Sequence, residues 1–436
     1  MITVQAHNTY RVAAVVSAIA SRVGVFSFLI SNLLLFAACS GSSDGSDEPQ
    51  RPVDGPSVLN IYVYAPGQAV PTRGNQGQVN ADPTAEDAIH TLQIWVYTRE
   101  TTPTLVTYFK TNAFQQDPQK TDDTYKFELP IDDTFANTPD NESRPKVDVY
   151  VLANVTSNNC GLDFDENTSK ADLEAAILAE GYFGVATPVT EVPYDGLPMS
   201  GKLSEQKVSG NKPVLTLGPS PTDMAKIKLA RAVSKARFVF SCSTDFDGLQ
   251  ITGVTFDPTM IPTQEYLFLN QNYTDDGNYI KIGGDYNTDV TPSLFSIDET
   301  TICADPAHYA WDRLLNDKSD CTAQDYENLI ADGLTIHEGE STPRLTERRL
   351  YLRESDKQLS GTIYYKVKEK DAADYGAEQH VPFKMVGPED PWKPYFSRNH
   401  TWIVYAYLAW AKMRIVDVHF KDWVTTQPSD HSLYNW

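Results

Sequence analysis

Along this chain, apolar and polar residues alternate in short runs that turn residues separate. A period of two is the signature of strands with one buried face. The clearest run covers 59–64, where Leu59, Ile61 and Val63 alternate with Asn60, Tyr62 and Tyr64; the next covers 92–97. The same pattern predicts strands over 105–110, 125–129, 147–153, 214–217, 226–229, 236–240, 249–256, 362–367, 402–408 and 413–420. Helical spacing is sparse: 170–178, with Asp172 near its start and Gly181 beyond its end, and a shorter stretch over 323–330. No repeat of solenoid or propeller length is present. An all-β fold follows. The roughly 400 residues beyond the N-terminal segment exceed one hydrophobic core, so two domains are expected, meeting near 230–241.

The N-terminus does not read as part of that fold. Residues 1–43 carry no Asp, Glu or Lys, only Arg11 and Arg22, and an apolar run over 23–36 leads to Ala37, Ala38 and Cys39. A basic flank, a short hydrophobic core and small residues describe a secretory signal. The run is short against the roughly 20 residues that a membrane-spanning helix needs. Cys39 after two alanines resembles the lipobox of bacterial lipoproteins, whose cysteine is acylated and becomes the mature N-terminus. An ordinary signal peptide with an incidental cysteine is the alternative. The Ser-, Gly- and acid-rich stretch 40–50 reads as a flexible tether.

Composition narrows the function. A net charge of -22 argues against nucleic acid as a partner. The 23 Tyr and 7 Trp occur with frequent Thr and Val, a β-rich secreted composition. Cys160, Cys242, Cys303 and Cys321 follow Cys39, none in a CxxC pair, which disfavours a zinc or thioredoxin-type site. Export permits disulfides; Cys303 and Cys321 are the pair most easily joined in sequence, with free or mixed states open. In an otherwise acidic chain, Lys226, Lys228, Arg231, Lys235 and Arg237 cluster. A solvated strand face is the simpler reading of that cluster, and an interface between domains or subunits is the other.

Catalytic and metal-binding strings fail on context. Gly41-Ser-Ser43-Asp-Gly45 has the nucleophile-elbow spacing but lies in the tether. Gly196-Leu-Pro-Met-Ser-Gly201-Lys202 approaches a phosphate loop, yet Leu203 stands where a hydroxyl must hold the metal. His337, Glu338 and Glu340 lack a second histidine at helical spacing. Asp275 and Asp276 lack the terminal glutamate of a calcium loop. No catalytic residue, metal or cofactor is expected.

What the pattern does offer is a removable strand and a spare one. The strand over 58–64 lies between the tether and a Pro- and Gly-rich stretch holding Arg73, the kind of polar loop that proteases nick. Cleavage after Arg73 would free anchor, tether and strand together. The opened sheet would present unpaired backbone groups to a strand from another molecule. At the other end Val416, Val418 and Phe420 alternate with Asp417, His419 and Lys421, and the chain closes on Trp423, a polar hinge, and Leu433, Tyr434 and Trp436. That tail is either a donor for another groove or a strand folded onto its own domain.

Blocks spread over nearly the whole chain carry a resemblance that bears on this choice. They begin with Glu86-Asp-Ala-Ile89-His-Thr-Leu92-Gln-Ile94-Trp-Val96-Tyr97 after the arginine loop, then Val149-Tyr-Val151-Leu-Ala153-Asn154 and Gly196-Leu-Pro-Met199-Ser200-Gly201. Lys228-Leu-Ala-Arg231-Ala-Val-Ser-Lys235-Ala-Arg237, Leu350-Tyr-Leu-Arg-Glu354-Ser355, Ser397-Arg398-Asn399-His400-Thr-Trp402 and the ending at Trp436 complete the series. In this order they resemble the FimA-type fimbrillins, the major subunits of the type V pili of Bacteroidia.

The resemblance implies two transthyretin-like β-sandwich domains with few short helices. It implies a lipoprotein signal over 1–39, acylated at Cys39, and a propeptide over 40–73 that holds the tether and the first strand. An N-terminal domain over 74–232 and a C-terminal domain over 233–436 with a donor tail would come next. Cleavage between Arg73 and Gly74 by an arginine-specific protease would precede polymerisation by strand exchange, with Val416, Val418, Phe420, Trp423, Leu433, Tyr434 and Trp436 as donor residues. The expected function is a stalk subunit of an adhesive surface pilus. Its partners would be other subunits and a host or bacterial surface receptor, and it would pass from the outer membrane to the fimbrium. The alternatives are a tip or accessory adhesin, with 300–344 as the place for a ligand-binding insertion, and an unrelated glycan-binding surface lipoprotein.

Overall fold

A computed structural model describes residues 56–65, 86–112, 124–178, 181–184, 189–268, 286, 294–301, 303, 331, 333–335, 338, 344–385, 396, 398–409 and 412–422. Cys39, Arg73, Gly74, Cys321, Trp423, Leu433, Tyr434, Trp436 and the helix expected over 323–330 lie outside the described residues.

The first half of the chain forms β1 (Val58–Tyr64), β2 (Leu92–Thr98), β3 (Leu105–Thr111), β4 (Thr124–Pro130), β5 (Val147–Ala153), β6 (Ile177–Leu178), β7 (Met199–Gln206), β8 (Val208–Asn211), β9 (Val214–Leu217), β10 (Lys226–Lys228) and β11 (Ala230–Arg231). Short helices α1 (Asp133–Ala136), α2 (Ser157–Cys160) and α3 (Lys170–Glu174) lie on the connections. The second half forms β12 (Ser234–Cys242), β13 (Phe246–Phe256), β14 (Glu265–Tyr266), β15 (Phe295–Thr301), β16 (Thr346–Leu352), β17 (Ser360–Glu369), β18 (Gln379–Lys384), β19 (His400–Ala409) and β20 (Lys412–Asp422).

These strands make two β-sandwiches, the all-β architecture expected. In the first, a sheet of order β10-β1-β9-β8, with β4 also on β1, faces a sheet of order β11-β7-β5-β2-β3. Alternate residues of both, among them Leu59, Ile61, Val63, Ile94, Val149 and Leu215, meet in one core. In the second, β16-β12-β19-β20 faces β15-β13-β17-β18. Its core is aromatic: Phe238 meets Phe383 edge to face at 5.2 Å, and Phe256 meets Phe295 at 5.4 Å, geometry that suits the ring quadrupoles.

The two sandwiches are bonded side by side as well as joined in sequence. Trp95, Tyr97 and Tyr150, on the face of β2 and β5 turned away from the first core, pack with Leu173, Leu178 and Phe183 and with Leu267, Phe268 and Tyr351 of the second half. This is why β2 and β5 are buried at every position, a two-sided burial that strict alternation does not anticipate. Strand β6 pairs with β14, and Val189 bridges Tyr351, so backbone ladders also cross the junction.

Two expectations change. The helix over 170–178 stops at Glu174, and Ile177–Leu178 extends as β6 because pairing with β14 takes over. The disulfide pairs Cys303 not with Cys321 but with Cys242, at a Cα–Cα distance of 4.6 Å. Nearness in sequence misleads here. Cys242 ends β12 and Cys303 comes just after β15, so packing of the two sheets brings them together across 61 positions of sequence. Replacing both with serine is expected to lower stability by about 2–4 kcal/mol, read as a fall in the urea midpoint. Cys160 keeps a free, buried thiol, which burial pushes up to about 12.

Candidate functional site

Sequence alternation leaves open whether β1 sits at an edge. It does not. It pairs antiparallel with β4 along its whole length, from Val58 opposite Pro130 to Tyr64 opposite Thr124. Its other side is shared: 58–60 run parallel to 214–216 of β9, and 62–64 run parallel to 226–228 of β10. Leu59, Ile61 and Val63 are fully buried in the sandwich core. Taking β1 away would therefore open a slot with hydrogen-bonding walls on both sides and an apolar floor. At about 1.5–3 kcal/mol per buried side chain, its three inward residues contribute about 5–9 kcal/mol. That is the scale of a whole domain's stability.

The connection after β1, residues 66–85, holds Arg73 and lies outside the described residues. Residues 88–91, just beyond that connection, are pinned by one buried side chain. Asn154, fully buried with φ 56°, accepts from the His90 and Thr91 amides through Oδ1 and donates from Nδ2 to the Ala88 and Leu197 carbonyls. Asparagine tolerates the left-handed region better than most residues. Gly196, at φ 83°, leaves the room: a Cβ there would come within 2.4 Å of Asn154 Nδ2. The blocks at 86–97, 149–154 and 196–201 thus meet at one buried amide.

Glu86 and Asp87 face the basic residues. Tyr351 Oη donates to Glu86 Oε1 at 2.6 Å, Lys235 Nζ donates to Oε2, and Arg349 reaches Oε1 at 3.5 Å. Arg231 donates to Asp87, to the Glu86 carbonyl at 3.3 Å and to Asn399 Oδ1 at 2.9 Å. Burial works against the charge on Glu86, but Lys235, Tyr351 and Arg349 outweigh it and hold its carboxyl below the usual range. The solvated-face reading of the cluster therefore fails for Arg231 and Lys235, buried at the junction, and for Arg237, buried against Glu347, while Lys226 is exposed and Lys228 half-buried. Acids from distant parts of the chain make that burial tolerable.

Glu347 takes Arg237 in two bonds, at 2.9 and 3.1 Å, and Arg349 Nε at 2.7 Å. Burial opposes its charge, yet the arginines prevail and its pKa falls from 4.5 to about 2. A carboxylate depressed in the folded state stabilises fully above its unfolded pKa and loses that contribution as pH falls toward the folded value. About 3 kcal/mol is expected to be lost between pH 4.5 and pH 2. In Glu347→Gln this part of the acid limb of a stability–pH curve is expected to flatten.

A second buried cluster lies within the second half, beside the pairing of β14 with β6. Arg398 Nε donates to Glu354 Oε1 at 3.0 Å, Nη2 lies 2.7 Å from Glu265 Oε1, and the guanidinium also donates to the Tyr266 and Leu267 carbonyls. Sequence reasoning placed Glu354 and Arg398 within blocks without assigning a role. It missed Glu265, which sits in a two-residue strand with no periodicity to mark it.

The expected donor residues divide. Val416, Val418 and Phe420 belong to β20, which pairs antiparallel with β19 at the edge of its own sheet. In the isolated chain, then, this segment takes the folded-back alternative. The ladder is imperfect: it steps from Tyr405–Asp417 to Ala406–Ile415, leaving Val416 without a partner.

Residues 58–234 match the family profile described as major fimbrial subunit protein (FimA). None of the curated proteins matches the sequence. Among solved structures, the chain is similar to the tip fimbrial protein Mfa3 from Porphyromonas gingivalis with C-terminal truncation, at 13% identity and a TM-score of 0.40, covering 85% of this chain and 100% of that one. A fimbrial assembly protein from Parabacteroides distasonis is similar at 12% and 0.36, covering 84% and 98%. The fimbrial anchor protein Mfa2 from Porphyromonas gingivalis is similar at 7% and 0.33, covering 85% and 99%.

Proposed function

We propose that this chain, matched over 58–234 by the major fimbrial subunit (FimA) profile, is a pilus subunit of the cell surface that associates with other subunits, and that it is the repeating stalk subunit, matured by one cut after Arg73. The precursor is exported as a lipoprotein acylated at Cys39. An arginine-specific protease cuts between Arg73 and Gly74 and separates the anchor, the tether and β1 from the body. The mature subunit comprises the sandwiches over 74–232 and 233–436. The C-terminal segment of another subunit fills the slot that β1 leaves.

One observation carries this reading: β1 is a fully walled interior strand whose three inward side chains are buried, and it lies upstream of Arg73. A strand so placed is a poor candidate for a dispensable edge and a good template for an exchanged one. The purified precursor, treated with an arginine-specific protease, is expected to yield SDS-resistant ladders and filaments. Deleting 433–436 is expected to weaken them. Fully cut protein that stays monomeric at micromolar concentration contradicts the stalk role.

A further inference from the structure

The slot around β1 has an outward row as well as an apolar floor, and that row is charged. Cross-strand partners share a face of the sheet. Tyr62 is opposite Lys126 on β4 and Lys226 on β10, so two lysines flank one outward position. Asn60 is opposite Glu128 on β4 and Thr216 on β9. Lys126, Glu128 and Lys226 are exposed, with Lys126 and Glu128 bridging each other at 2.6 Å. Whatever replaces β1 must place apolar side chains where Leu59, Ile61 and Val63 were. It gains most from an acid at the Tyr62 position and from a neutral or basic residue at the Asn60 position.

This code distinguishes the two directions in which Ile415–Lys421 of a second copy can enter. Running as β1 does, with Val416, Val418 and Phe420 at the positions of Leu59, Ile61 and Val63, it sets Asp417 beside Glu128, His419 between the lysines and Lys421 beside Lys228. Running the opposite way, the same three residues fill the same floor in reverse order. Asp417 then falls between Lys126 and Lys226, and His419 falls beside Glu128.

On the strand-exchange reading, we propose that residues 415–421 of a neighbouring copy enter the slot antiparallel to β9 and β10, opposite to β1, in the register that seats Asp417 between Lys126 and Lys226.

Paired cysteines in full-length precursors, mixed, cut and mildly oxidised, test both direction and register. Glu128→Cys with His419→Cys, and Lys126→Cys with Asp417→Cys, are expected to cross-link between subunits. The crossed pairings, Glu128→Cys with Asp417→Cys and Lys126→Cys with His419→Cys, are expected to do so at least about tenfold less. The reverse preference overturns the direction, and equal cross-linking overturns the register, while wild-type ladders in the same conditions leave strand exchange itself standing. If wild-type protein forms no ladder once cut, the strand-exchange reading fails and takes this register with it. At low salt, Lys126→Glu with Lys226→Glu is expected to slow assembly about tenfold, and Asp417→Lys in the same chain to restore it. Failure of that rescue overturns the charge code.

Discussion

Replacing Arg73 with alanine is expected to abolish polymerisation while leaving a folded precursor. In the uncut chain β1 is tethered to its own slot, at an effective concentration of millimolar or more. A donor from another molecule competes at micromolar concentration. With β1 holding about 5–9 kcal/mol of buried apolar contact and backbone pairing on both sides, the intermolecular strand loses by about a thousandfold before any difference in fit is counted. The cut removes that advantage, because a β1 that leaves is diluted and does not return. Gel filtration and SDS ladders after protease treatment check the variant. A recognition sequence for an unrelated protease placed within 66–85 of the Arg73→Ala chain is expected to restore assembly when that protease is added. Assembly of uncut Arg73→Ala would mean that β1 is not the barrier.

The largest expected loss of stability is in the buried cluster around Arg398. In Arg398→Leu, Glu265 and Glu354 keep their buried places and lose the cation between them. Removing one partner from a buried ion cluster costs about 3–5 kcal/mol. The pH dependence carries a signature. Burial, helped by Glu354 and opposed by Arg398, pushes Glu265 up from 4.5 to about 8. The folded state therefore keeps a proton between those values that the unfolded state releases. This group's contribution is full below about 4.5 and is lost as pH rises toward 8. Arg398→Leu is accordingly expected to lose more at pH 8 than at pH 5 in urea titrations. An equal loss at both would place the cost in packing rather than charge.

Much of the fold was legible because period two is a direct imprint of a half-buried strand. Leu59, Ile61 and Val63 gave β1, and Leu92, Ile94 and Val96 gave β2. What alternation does not encode is how many neighbours a strand has. The interior position of β1, on which the site depends, comes from partners at 124–130, 214–216 and 226–228. Strand β7, reading Met-Ser-Gly-Lys-Leu-Ser-Glu-Gln, has too little apolar pattern to mark it and is drawn into the sheet by β5 and β11. The basic cluster was visible, but its burial depended on Glu86 and Glu347, more than a hundred positions away from the lysine and arginine they bind. Cys242 and Cys303 were likewise joined by sheet packing that no spacing rule contains.

The central claim is that one cut frees the anchor and opens the slot together. Mass spectrometry of the subunit recovered from cell-surface filaments tests it most directly. A chain beginning at Gly74, without 58–64, is the expected result. Filaments built from chains that begin at acylated Cys39 and retain β1 would contradict it.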